Sequence, residues 1–75
     1  MNKIKNRALS YNEQEKLNKI IRNKGLNQTK IGRMLGISQY YISKICTGKT
    51  NITDRIVNQF LNFEIDLREV MKLRG

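Results

Sequence analysis

Residues 28–45, QTKIGRMLGISQYYISKI, constrain the fold more than any other stretch of the chain. The segment reads as two short helices joined by a tight turn at Gly36, where glycine adopts the left-handed backbone without strain. Ile37 fills the angle between the helices, and Ser38 is placed to cap the second one, expected from Gln39 to Cys46 or Thr47. A helix turns by roughly 100° per residue, which puts Tyr41, Ile42, Ile45 and Cys46 on one arc and Gln39, Tyr40, Ser43, Lys44 and Thr47 on the other. The first arc is mainly apolar and packs inward. The second is polar and is left to meet a partner.

Charge indicates what kind of partner. The 75 residues carry 15 Lys and Arg against 6 Asp and Glu, a formal net charge of +9 with a pI near 10.1. Such a balance favours a polyanion, and nucleic acid is the first candidate. Charge alone is equally a property of small domains with a solvated basic surface. The polar arc and the charge therefore have to be read together.

A chain of 75 residues holds one small domain, which at this size buries only about 60% of its unfolded surface. Its 39% apolar content, regularly spaced, suffices for a compact helical core. One cysteine and no histidine exclude an intramolecular disulfide and argue against a zinc site. Cys46, on the inner arc, reads as core filler, and a free thiol suits a reducing cytoplasm. No run approaches the roughly 18 apolar residues of a membrane span. The N-terminal MNKIKNRAL is basic without the apolar segment of a signal peptide. The expectation is a cytoplasmic protein with no membrane partner.

Residues 1–9, with Lys3, Lys5 and Arg7, read as a flexible basic arm that contributes to nucleic-acid affinity rather than to fold stability. The folded domain is expected over residues 10–75. Ser10 followed by Glu13 is a capping-box pattern; it opens a helix to about Lys24 that buries Leu17, Ile20 and Ile21 and stops at Gly25. Leu26 then packs inward, Asn27 caps, and a helix from Gln28 to Leu35 turns Ile31 and Leu35 to the core. Gly48 ends the third helix, and TGKTN, residues 47–51, forms a polar loop. Thr53 caps a fourth helix burying Ile56, Val57, Phe60 and Leu61. A fifth starts at Asp66, whose spacing to Glu69 repeats the capping-box pattern, and presents Leu67, Val70 and Met71. With no proline, no strand-like alternation and no internal repeat, the chain reads as five helices in one all-α domain.

Catalysis lacks its parts. The GKT at residues 48–50 invites comparison with a phosphate-binding loop, but position 43, where that motif needs glycine, is Ser43, and the segment follows a helix rather than a strand. There is no histidine and no paired-carboxylate site on an apolar pocket. No enzyme activity, cofactor, metal or small-molecule substrate is expected.

Residues 28–45 resemble the helix-turn-helix of the phage lambda repressor and Cro family, also called Xre-like. Gln28, the small residue Gly32, the turn residue Gly36, and then Ile37, Ser38, Ile42 and Ile45 carry the likeness, which continues through Gly48 and Lys49 to cover roughly residues 10–73. The chain departs from the family's usual residues at Gly32, where alanine is common, at Cys46, where glutamate is common, and near Ile52, where proline is frequent. The resemblance implies a third helix lying in the major groove of duplex DNA with its first residues at base edges. Gln39 becomes the foremost base reader, since a side-chain amide matches N6 and N7 of adenine. The resemblance also implies that Gln28 and Gln39 act together at a phosphate and a base. Tyr40, Ser43 and Lys44 are further base-reading candidates. Gln28, Thr29, Lys30, Lys49, Thr50 and Asn51 are candidates for phosphate contacts, which position the protein without reading sequence.

One such domain covers few base pairs, so specificity commonly comes from a two-fold dimer on a near-palindromic site. Leu67, Val70, Met71 and Leu73 are candidates for that interface, or else for closing the monomer core. The expected function is transcriptional regulation, foremost repression in a phage, a mobile element or a bacterial host. Two other classes share the surface: an excisionase-like accessory factor in DNA processing, and a protein-interaction module such as an antitoxin or antirepressor.

Overall fold

Each of the first four helices starts where a side chain satisfies one of its free amides. In this computed structural model, which describes residues 7–71, α1 (Tyr11–Asn23) opens on a complete capping box. Ser10 Oγ accepts from the Glu13 amide at 3.3 Å, and Glu13 Oε1 accepts from the Ser10 amide at 2.9 Å. Asn27 Oδ1 accepts from the Lys30 amide at 2.8 Å to start α2 (Gln28–Leu35). Ser38 Oγ accepts from the Tyr41 amide at 3.2 Å to start α3 (Gln39–Cys46), and Thr53 Oγ1 from the Ile56 amide at 3.3 Å to start α4 (Asp54–Phe60). Each such cap stabilises its helix by about 1 kcal/mol. The chain then tightens into a 3₁₀ turn, Leu61–Phe63, and ends in α5 (Leu67–Met71). The all-α reading and its five helices hold among the described residues.

The apolar stripes meet in one core. Leu17 and Ile21 of α1, Ile31 of α2, Ile42, Ile45 and Cys46 of α3 and Phe60 of α4 are all buried in it. Ile20, Leu26, Leu35 and Ile37 pack at its edge, half-buried. Burying a side chain of this size contributes about 1.5–3 kcal/mol, which is how so short a chain holds together. No helix among the described residues is long and apolar enough to cross a membrane.

The structured chain starts before Ser10, contrary to the arm expected over residues 1–9. Leu9 is buried in the core at 3% exposure. Arg7 is committed to the fold: its Nη1 and Nη2 donate to Glu13 Oε1 and Oε2 at 2.7 and 2.8 Å, and Nη2 also donates to the Met71 carbonyl at 3.3 Å. The Arg7 carbonyl accepts from the Ile52 amide at 2.8 Å in an isolated antiparallel bridge. The cause is Glu13, whose carboxylate the capping box already holds in place and whose planar geometry matches the guanidinium fork. Ile52 itself is fully buried. A proline, frequent near this position in the family the chain resembles, has no amide to donate. Lys3 and Lys5 lie outside the described residues.

Two further expectations change near the C-terminus. Leu61 is 47% exposed rather than buried, because α4 gives way there to the 3₁₀ turn, and Ile65 fills the core in its stead. Asp66 makes no capping box: its Oδ1 accepts from the Arg68 amide at 3.0 Å while its carbonyl accepts from the Glu69 amide at 3.1 Å. Leu67, Val70 and Met71 are 0%, 4% and 3% exposed. They close the monomer core, since α5 packs against α1 and α4, and so they offer no free apolar face to a partner. Leu73 lies outside the described residues.

The hydrogen bonds from Arg7, helped by the Ser10 amide and opposed by burial, lower the Glu13 carboxyl from 4.5 to about 2. A depressed carboxylate stabilises the fold in full above its unfolded value and loses that contribution as pH falls toward 2. Because the Arg7 side chain is 39% exposed, solvent screening trims the effect to about 1–2 kcal/mol. Glu13→Gln is expected to lower stability by that amount at pH 7, with the gap to the unaltered protein shrinking by about half or more at pH 3. Urea unfolding at the two pH values measures it; a gap that does not change with pH would show that the ionised pairing is not its source.

Candidate nucleic-acid interface

The crossing of α2 and α3 is set by backbone meeting backbone. Gly36 adopts φ +70° in the turn, and the Ile37 amide donates to the Gly32 carbonyl at 2.8 Å. A Cβ built on Gly32 would stand 2.7 Å from the Ile37 carbonyl oxygen and 3.4 Å from the Gln39 amide nitrogen. The first residue of α3 therefore rests directly against α2, closer than a side chain at position 32 would allow.

That seating leaves the polar arc of α3 facing outward. Gln39 and Tyr40 are exposed, Tyr40 to 71%, and Ser43 and Lys44 are half-buried. Lys44 Nζ sits 4.8 Å from the centroid of the Tyr40 ring, a cation–π contact that holds the two side chains as one unit and contributes about 0.5–1 kcal/mol at an exposed site. On the inner arc Ile42, Ile45 and Cys46 are buried and Tyr41 is half-buried. Burial pushes the Cys46 thiol up to about 11. It stays protonated and serves as packing.

Gln28 and Gln39 each stand at the first position of a helix, and the crossing brings both to the lining of one cleft of about 430 Å³. Asn27 and Thr29 share it. So do Asn18 and Arg22 of α1, which the sequence reading left unassigned. Their signal was available: they stand four apart on the polar face of α1, one turn stacked on the next. Lys30 is exposed, and its Nζ donates to the Gly25 carbonyl at 3.4 Å.

The loop after α3 is tied to the end of that helix. Thr47 Oγ1 donates to the Ser43 carbonyl at 2.8 Å, and the Lys49 amide donates to the Lys44 carbonyl at 2.9 Å. Lys49 and Asn51 are exposed and Thr50 half-buried. No Asp or Glu occurs between Glu15 and Asp54. The helix pair and its loop thus carry cations alone, among them Lys30, Arg33, Lys44 and Lys49. Among the described residues no group of three His, Cys, Asp or Glu could hold a metal ion. An acid-free surface with amide, hydroxyl and ammonium groups at two helix starts is built to bind an extended anion.

Residues 17–63 match a family model described as helix-turn-helix. The match runs from the middle of α1 through the 3₁₀ turn and includes the whole α2–α3 crossing. Comparisons with curated proteins and with solved structures gave no match.

Gly32→Val is expected to cost about 2–3 kcal/mol, because the atoms it would strike are backbone and cannot swing aside. Gly36→Ala enters open space and meets only the strain of a positive φ, about 1–2 kcal/mol. Thermal or urea unfolding ranks the two; a Gly32→Val variant as stable as the unaltered chain would show that the helices do not approach so closely.

Proposed function

The chain belongs to the Cro/C1-type helix-turn-helix family, a family of DNA-binding transcription regulators, and on that premise we propose that it reads a specific duplex site with α3 in the major groove, as a repressor of a phage, a mobile element or a bacterial host. The observation that carries the reading is the shared cleft: Gln28 and Gln39 both line it at the helix crossing, beside a surface free of acidic residues. Gln39, exposed at the start of α3, offers an adenine edge a donor and an acceptor side by side. The Tyr40–Lys44 unit supplies a ring for a thymine methyl and a cation for guanine or backbone. Ser43 is short enough to let the helix approach the groove floor.

Gln28, Thr29, Lys30, Lys49, Thr50 and Asn51 hold the flanking phosphates, joined in this reading by Arg22 and Asn18 at the same cleft. Phosphate contacts set register and affinity without choosing sequence. Lys3 and Lys5 add backbone contacts from the N-terminal segment. Arg7 is withdrawn from that role, since its guanidinium is bound to Glu13.

If about five to eight phosphates are neutralised, log affinity falls against log salt with a slope of roughly −4 to −7. Gln39→Ala is expected to weaken the preferred site by about 1–3 kcal/mol and leave binding to random DNA nearly unchanged. Lys49→Ala should weaken both alike and lower the slope by about one. Fluorescence anisotropy across a salt series measures all three, and equal losses on specific and random DNA for Gln39→Ala would remove it from the reading face. Footprinting upstream of the gene for this chain tests the regulatory role: protection over a promoter is expected. Protection confined to the ends of a mobile element would assign it instead to DNA processing.

A further inference from the structure

The loop after α3 is fastened at both of its ends to the segment that runs from Arg7 into the first turn of α1. At one end Gly48 adopts φ +71° and lies flush against that segment. A Cβ built on it would stand 2.6 Å from the Leu9 carbonyl oxygen and would also strike the Gln14 side-chain amide. Those two groups are bonded to each other, Gln14 Nε2 donating to the Leu9 carbonyl at 3.0 Å. At the other end the Ile52 amide donates to the Arg7 carbonyl at 2.8 Å. Leu9 and Ile52 are both buried, so each fastening is tied into the core, and Glu13 fixes Arg7 through its guanidinium. Lys49, Thr50 and Asn51 fall between the two fastenings, with Lys49 and Asn51 exposed.

We propose that the segment from Arg7 to Gln14 positions this loop for the DNA backbone, and that Gln14 and Glu13 are positioning residues that act through Lys49 without touching DNA themselves. The inference rests on the reading of residues 49–51 as phosphate contacts. A lysine ammonium on its flexible stem neutralises a phosphate in many geometries. A contact that sets register needs a backbone already fixed when the DNA arrives, because ordering the loop on binding subtracts from affinity. Bonds from Thr47 and Lys49 back to α3 fix the start of the loop. The restraint across its remaining length comes from the Arg7–Gln14 segment. Removing the Gln14 amide leaves the Leu9 carbonyl without that donor and opens space beside Gly48, and the loop regains its freedom. A basic arm acts differently, since its contribution follows its charge. Here the positioning residues are a neutral amide and a carboxylate, whose effect on DNA binding net charge cannot supply.

Fluorescence anisotropy of the full chain on a random-sequence duplex, across a salt series and well below each variant's thermal midpoint, tests this with variants that leave every phosphate-contact candidate in place. Gln14→Ala is expected to weaken binding about three- to ten-fold and to lower the salt slope by about one, the equivalent of one phosphate. In that background Lys49→Ala should change affinity less than two-fold, whereas in the unaltered chain it has its full effect. Glu13→Gln removes one of the 6 acidic charges and so takes the net charge from +9 to +10. Charge alone would tighten binding. Loss of positioning is expected to weaken it at least two-fold at the upper end of the salt series, where screening minimises the added charge. Without DNA, amide exchange at Lys49 and Ile52 in the Gln14→Ala variant should speed up at least five-fold more than at Ile45 in the core. Unchanged loop exchange, unchanged affinity and slope for Gln14→Ala, losses for Gln14→Ala and Lys49→Ala that add in full, or tighter binding by Glu13→Gln would each overturn the proposal. If Lys49→Ala has no effect in the unaltered chain, the reading of the loop fails and the proposal falls with it. The exchange rates need no DNA, and they separate that failure from a failure of the positioning itself.

Discussion

The missing side chain at Gly32 is the constraint on which the interface depends. Glycine inside a helix costs about 1 kcal/mol of propensity relative to alanine, and α2 has only Gln28–Leu35 over which to absorb it. In return Gln39 rests against α2 instead of standing off from it, while the left-handed Gly36 lets the Ile37 amide close the end of α2 on the Gly32 carbonyl. Gln28 and Gln39 then face the same cleft. A Cβ at position 32 would be struck by the Ile37 carbonyl, so any side chain there would force this crossing apart.

Glu13 plays a comparable role at the other side of the molecule. One carboxylate closes the capping box of α1 and also receives the Arg7 fork, and Arg7 in turn reaches the Met71 carbonyl at the end of α5. A local helix-start device is thereby extended into a clasp between the two ends of the described chain. The placement of the few acidic residues completes the division of labour. Glu13 is spent on the clasp, Glu64, Asp66 and Glu69 gather at a groove between α1 and α5, and the whole stretch between Glu15 and Asp54 has none.

Much of the architecture was legible in advance. Ser10, Asn27, Ser38 and Thr53 all cap the helices they precede, and Gly36 takes the turn conformation its position required. The polar arc of α3 emerges as the periodicity implied. What was not legible is equally specific. The Asp66 to Glu69 spacing resembles that of Ser10 to Glu13, yet Asp66 turns its carboxylate to the Arg68 amide. Leu61 looked like one more core residue of α4, but the helix ends a residue before it. Spacing cannot distinguish these cases, because the outcome depends on how the following turn is pulled toward the core by Ile65.

By itself the sequence determined the helix starts, the turn at Gly36, the division of α3 into two arcs and the cationic character of its surroundings. Those features are local: a cap spans a few residues, an arc one helix, and charge is a property of composition. Tertiary structure alone decided that Arg7 and Leu9 belong to the fold, that Leu67, Val70 and Met71 are enclosed, that Arg22 and Asn18 join the Gln28–Gln39 cleft, and that opposite charges line the α1–α5 groove. Each of these rests on groups far apart along the chain, as with Arg7 and the Met71 carbonyl, 64 positions away. Such contacts arise only when packing of the core brings the segments together, and no window of neighbouring residues records them.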